Sequence, residues 1–402
     1  MKETNMKQEK HLLGYLSGAP SVSTRPEASA AGPRSHILGL IEGFVDNNWE
    51  VFTFIVGDRV PINWIQSQSK DVVRKNYLSR LVADIIRIVM GFYHSQIAVK
   101  HIPEVDLIYE RFGSFQSLGK KFQKRGTKWI LETNGPFYVE ASQQRKSMIL
   151  SGLAKKIEIG AYKQCDVLVC VSNELKDIIL QEISISPEKI IVLPNGVDTD
   201  FFSPKDGKKE RYFNFPTIGY VGIVIERQGL DTIIKAIFEL KKNKIDIGLV
   251  VIGDGPYKSE LVSLCEELDL SDRVKFLGQI NREMVPSKID GFDIGYSGQK
   301  VIGNGLLGKM YHSPLKLYEY LAMEKPVIAS AYDDAKFIIS KNNLGWLFES
   351  GNTESLIDAI STALINEDDW RDIGVRARKI IVEEHSWKQR VDFLLKALEA
   401  KK

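Results

Sequence analysis

Two ionisable residues, Lys316 and Glu319, stand three positions apart in the stretch "SPLKLYEYLAMEKPVIAS" (313–330). Ser313 is expected to cap a helix there and Pro314 to fill its first position, where no amide hydrogen is needed. The free amides and positive dipole end of such a helix suit a phosphate. Lys316 adds a full charge in the first turn, which Leu317 shares. Glu319 falls about 9 Å along the axis from the cap. That is the step from a diphosphate to a ribose whose vicinal hydroxyls a carboxylate accepts. The same pair also suits an i,i+3 ion pair on a solvent face.

Other candidates surround this pair in the sequence. Gly222 ends the apolar run "IGYVG", with Arg227 five residues on, and "GDGP" (253–256) ends the next strand. In the first half, Gly32, Arg34 and His36 open a helix and face a cleft, or cap the surface with His36 turned to solvent. Asn134 follows the strand "WILET" at a carboxyl strand end, where it binds a ligand or shapes a turn. Arg111 and Glu140 are polar positions of the same half, binding or structural. "GNGLLG" (303–308) copies a dinucleotide fingerprint, but no strand–turn–helix start frames it. Asp198 and Asp200 copy a metal-binding D-x-D, yet they follow Asn195-Gly196, where turn chemistry accounts for them. No metal is expected.

The elements that must position these residues alternate strand and helix twice. "HLLGYLS", "EVFTFIVG", "VDLIYE", "KWILET" and "DVLVCVS" read as strands of a first parallel sheet. After "VLPNGVDTDFFSP" come "TIGYVGIV", "IGLVVIG", "VKFLG", "FDIGYS" and "KPVIAS". The expectation is α/β: two Rossmann-like domains with parallel sheets facing a central cleft. The first is residues 1–200 and the second 201–382. A final helix, 383–402, returns to the first. In such sheets ligands bind at the carboxyl ends of strands.

Composition fits a folded chain of 402 residues: 44% hydrophobic, 26% charged, net charge +2. That balance gives no reason to expect nucleic acid. Cys165, Cys170 and Cys265 are expected as reduced, buried thiols of a cytosolic protein. The first ten residues are polar, and no run of 18 uncharged residues suggests a membrane span. Residues 60–160 nevertheless carry 16 Lys/Arg against 8 Asp/Glu. A helix near 73–92 is expected to bury Val73, Tyr77, Leu81, Ile85, Ile88 and Phe92. Arg80, Arg87 and "KKFQKR" (120–125) leave peripheral contact with an anionic membrane open.

The order of "AGPRSH", "IYERFGSF…WILETNGPFYVE", "VSNELK", "VLPNGVDTDFF", "IGYVGIVIERQGLDTIIKAI", "GDGP", "FLGQI", the 313–330 helix and "HSW" resembles the retaining glycosyltransferases of family 4, with the GT-B fold, in a polysaccharide-assembly branch. The resemblance spans nearly the whole chain. It implies a nucleotide diphosphate sugar as donor, a sugar or lipid-linked sugar as acceptor, and no cofactor. It assigns Lys316, Arg227 and Asn134 to catalysis and Gly222, Lys316, Leu317 and Glu319 to the donor. Gly32, His36, Arg111 and Glu140 go to the acceptor. A donor phosphate oxygen, not a protein carboxylate, takes the acceptor's proton. A cytoplasmic site at the inner face of the plasma membrane is implied. The sequence departs from the family at Ile223, Gln228 and Tyr311, where an Arg, a Lys and a Glu are common. Those departures suit an alternative: a non-catalytic GT-B subunit that binds a sugar nucleotide or a partner. A sugar-nucleotide epimerase of the same fold is opposed by the acceptor-side segment.

Overall fold

The computed structural model describes residues 10–28, 32–62, 76–140, 148–205, 207, 210–303 and 305–401. The polar opening of the chain, Ala31, Val73 and Asn304 lie outside them. Contacts divide the chain into two compact units, Met1–Leu193 with Trp387–Lys402, and Pro194–Ser386.

The first unit holds six parallel strands in the order β2-β1-β3-β4-β5-β6. They are β1 (His11–Ser17), β2 (Trp49–Ile55), β3 (Leu107–Arg111), β4 (Lys128–Thr133), β5 (Val167–Cys170) and β6 (Ile190–Val192). β3 and β5 are buried along their whole length, which is why β5 reads as an unbroken apolar run, while β3 ends in the buried polar pair Glu110 and Arg111. The helix Trp387–Glu399 buries Val391, Leu394 and Leu398 and packs on the helix Gly32–Asp46. Glycine makes that approach possible. A Cβ on Gly39 would lie 2.1 Å from Trp387 Nε1, and one on Gly43 would lie 2.6 Å from the Trp387 carbonyl.

The second unit repeats the plan with the order β12-β11-β10-β7-β8-β9, again all parallel. These strands are β7 (Thr217–Val221), β8 (Gly248–Ile252), β9 (Val274–Gly278), β10 (Ile294–Ser297), β11 (Val327–Ser330) and β12 (Gly345–Phe348). The strand period places Leu249 and Val251 in one core and Val250 and Ile252 in another, on the opposite face.

The helix Tyr77–His101 corrects an expectation. Its inward face is small or polar: Ala83, Asp84, Gly91, His94, Ser95, Ala98 and Val99. Tyr77, Ile85 and Phe92, expected to be buried, are exposed, and Leu81 and Ile88 are only partly covered. Two contacts set this orientation. Asp84 accepts the amides of Ile149 and Leu150 at 2.7 and 2.9 Å, and a Cβ on Gly91 would lie 2.6 Å from the Phe115 carbonyl. Among the described residues this is one helix long and apolar enough to cross a membrane, by length and composition.

Candidate functional site

In the second unit the strand order reverses between β7 and β10, the place where an open parallel sheet takes its ligands. Gly222 leaves β7 there with φ 149°, a conformation that needs glycine. Its amide donates to the Ile252 carbonyl at 2.9 Å, and the Val224 amide donates to the Asp254 carbonyl at 3.0 Å. A Cβ on Gly253 would lie 1.9 Å from the Gly222 oxygen, so the two glycine loops lie backbone against backbone.

Lys316 reaches this loop from the helix Leu315–Ala322. Its ammonium lies 4.2 Å from the centroid of the Tyr220 ring and donates to the side-chain oxygen of Gln228. Gln228 is held there because Gly229, with φ 63°, turns the chain from the 3-10 turn Glu226–Gln228 into the helix Leu230–Lys242. Burial pushes the Lys316 ammonium down to about 7, with Glu319 pulling the other way. Burial pushes the Glu319 carboxyl up to about 7, against Arg282 and Lys316. Among the described residues no ion pair joins Lys316 to Glu319, which corrects the surface-bridge reading of the pair.

Arg227 Nη1 lies 2.6 Å from His312 Nε2. A guanidinium only donates, so Nε2 accepts and the neutral ring carries its proton on Nδ1. Arg227 Nη2 is buried and finds no partner among the described residues. Leu317 is fully buried beneath the helix start. Tyr311 is also fully buried, with its ring 4.4 Å from that of His312, while Ile223 is exposed.

The expected cap is corrected here. Pro314, in extended backbone, precedes the helix, and no side chain caps it. Ser313 Oγ instead accepts the Asn195 amide at 2.9 Å, tying the helix start to the segment after Pro194. Asp198 accepts the amides of Asp200 and Phe201 at 3.2 and 2.9 Å, a local turn.

In the first unit the order reverses between β1 and β3. Glu132, on β4 and almost completely buried, collects the polar groups there. His36 Nε2 lies 2.8 and 2.9 Å from its two oxygens. Tyr109 donates its hydroxyl at 2.5 Å, Asn134 Nδ2 donates at 2.6 Å, and Arg111 Nε lies 3.7 Å away. Burial alone would raise this carboxyl, but His36, Arg111 and Tyr109 outweigh it and hold it at about 2. Two further groups, Tyr15 Oη and Ser17 Oγ, are buried without a hydrogen-bond partner among the described residues, and Arg111 Nε, though ion-paired with Glu132, has no hydrogen bond either. Ser17 and Arg111 are register partners at the carboxyl ends of β1 and β3. Buried orphan donors at a strand-order reversal are what a polar ligand or ordered water satisfies.

The structure thus brings His36, Arg111 and Asn134 together, and the solvent-turned reading of His36 is corrected: it is buried with its ring edge on Trp387. Gly32 is exposed at the start of the same helix. Glu140 lies beside Glu158, which accepts the amides of Phe137 and Tyr138. Sequence reasoning missed Glu132, Tyr109, His312, Arg282 and Tyr220. The carboxylate inside the apolar strand "KWILET" was the available signal, because burying an ionised group demands partners.

Comparison with known proteins matches each half. The family described as Glycosyl transferases group 1 matches residues 202–380, and Glycosyltransferase Family 4 matches residues 31–201. The chain is 26% identical, over 48% of its length and 52% of the relative's, to a GDP-mannose-dependent alpha-(1-6)-phosphatidylinositol monomannoside mannosyltransferase of Mycobacterium tuberculosis. It therefore spans about half the length of that relative. An Escherichia coli UDP-Gal:alpha-D-GlcNAc-diphosphoundecaprenol alpha-1,3-galactosyltransferase is 24% identical, over 81% of this chain and 85% of that one. Among solved structures, sucrose-phosphate synthase from Thermosynechococcus elongatus superposes with a TM-score of 0.69 at 16% identity, covering 98% of this chain and 100% of that one.

Proposed function

We propose that this chain, which belongs to glycosyltransferase family 4 and has the GT-B fold, moves a sugar from a nucleoside diphosphate sugar to an acceptor hydroxyl with retention. The observation that carries this reading is Lys316: a half-buried ammonium at a helix start, hydrogen-bonded to a neutral amide and resting on a tyrosine ring. A partly desolvated cation with no carboxylate hydrogen-bonded to it suits an anion, and a departing diphosphate is stabilised where its charge develops. Arg227, whose Nη2 finds no partner among the described residues, supplies a second cation, and Glu319 receives the ribose hydroxyls. The acceptor enters at Arg111, His36 and Asn134, which Glu132 holds in place. Asn134 has no basic atom, which agrees with a donor phosphate oxygen taking the acceptor's proton. No step uses a metal.

The acceptor class we propose is a lipid-linked sugar met at the inner face of the plasma membrane. The galactosyltransferase relative is named for a diphosphoundecaprenol-linked acceptor and the mannosyltransferase for a phosphatidylinositol one. A second reading, a binding subunit without turnover, is favoured by Gln228, whose neutral side chain stands where the family resemblance implies a cation. Thermal-shift screening against uridine, guanosine and adenosine diphosphate sugars tests both. A stabilising donor that is then transferred or hydrolysed supports the enzyme. Stabilisation without turnover supports the subunit, and no stabilisation by any of them contradicts the donor site.

A further inference from the structure

We propose that the outward face of the helix Tyr77–His101 is a docking surface for an anionic lipid bilayer. Leu78, Val82, Ile85, Ile86, Val89 and Phe92 form a continuous apolar stripe at helical spacing, with Leu78 64%, Val89 61% and Phe92 69% exposed. Two tyrosines, Tyr77 and Tyr93, border the stripe and are also exposed. They are the side chains that settle at headgroup depth. The helix cannot roll over to hide this face. Asp84 is bonded to Ile149, Leu150 and Arg87, and Gly91 is pressed on the Phe115 backbone. It therefore lies on a membrane through one face while the other stays in the protein.

Charge identifies the partner. The short helix Lys120–Gln123 packs beside the stripe, and Lys121 Nζ lies 5.3 Å from the Phe92 ring centroid. Residues 112–131 contain five Lys/Arg and no Asp/Glu. Apolar side chains edged by cations on long stems match an acidic headgroup layer over acyl chains. A second protein copy would bring the same cations against themselves. This inference deepens the lipid-linked acceptor and rests on that reading for its purpose. The measurement needs no donor, so either can fail alone.

Cosedimentation of the full chain with phosphatidylcholine vesicles, with and without phosphatidylglycerol, at low and high salt, tests it. The parent is expected to pellet with the anionic vesicles at low salt and to be released by high salt. Val82→Ser/Ile86→Ser/Val89→Ser should lower the partition coefficient at least about tenfold, since each loses buried apolar area. Its melting temperature should match the parent's, because these side chains are exposed in the free protein. Lys121→Glu/Lys124→Glu should weaken binding and flatten the salt dependence. Three results would overturn the proposal: a parent left in the supernatant with anionic vesicles at low salt, a serine variant that binds like the parent, or a parent dimer that the serine variant dissociates.

Discussion

Lys316 donates its hydrogen bond to Gln228, so a half-buried cation in the helix Leu315–Ala322 is answered by an amide and not by a carboxylate. Its charge is solvated in part by the Tyr220 ring and the Gln228 dipole, and the remainder is left for a ligand. The relation also explains how the second unit keeps two loops in register, because Gln228 and Gly222 both meet the Lys316 side chain.

Gln228→Lys should destabilise the free protein, since it sets a second ammonium against the first where the dielectric is low. Saturating nucleoside diphosphate should restore the melting temperature. Equal melting temperatures for parent and variant without nucleotide would mean that Lys316 is solvated rather than enclosed.

Nucleotide affinity should be bell-shaped around pH 7. Lys316 ionises at about 7, lowered from 10.5, so above that pH the free protein loses the charge that a diphosphate binds. Glu319 also ionises at about 7, raised from 4.5, so below that pH it is a neutral acid and a weaker acceptor for ribose. Calorimetric titration over this range should show Lys316→Ala flattening the alkaline limb and Glu319→Gln the acidic limb. A pH-independent affinity in the parent would remove both residues from the donor site.

Glu132→Ala should cost about 3–5 kcal/mol in urea denaturation, because it strands His36, Arg111 and Tyr109 around a lost buried charge. The sign of the pH dependence follows from a folded value of about 2 against 4.5. The carboxylate's contribution is complete above 4.5 and is lost as pH falls towards 2. The parent–variant difference should therefore shrink in acid. A difference that stays constant down to pH 2 would mean that packing, not charge, holds this cluster.

Transfer should proceed fully in the presence of chelator. Asp198, the first carboxylate of the D-x-D segment, already spends one oxygen on the amides of Asp200 and Phe201. Activity lost to chelator and restored by manganese would place an ion in the mechanism.

The sequence made the parallel strands legible because buried β-strands are continuous apolar runs. β6 and β12 escaped because three or four residues at a sheet edge carry no period to read. The Lys316–Glu319 spacing was visible because helical geometry relates the pair within one element. The Glu132 cluster was not, since it joins His36, Tyr109 and Glu132, 96 and 23 residues apart in the chain. Ser313 read as a cap because local preference favours it, yet a distant amide, that of Asn195, claims its hydroxyl. The helix Tyr77–His101 shows the limit of periodicity most plainly. An apolar stripe says that one side differs from the other, and only Asp84 and Gly91 decide which side faces the core.

The central claim is that Lys316 stabilises a departing diphosphate, and the turnover of Lys316→Ala at saturating donor measures it most directly. Folding is checked first by circular dichroism, and the donor is the sugar nucleotide that stabilises the parent. A transition-state contact of this kind is worth about 2–4 kcal/mol, so turnover should fall at least about tenfold while the fold persists. An unchanged rate at saturating donor would contradict the assignment.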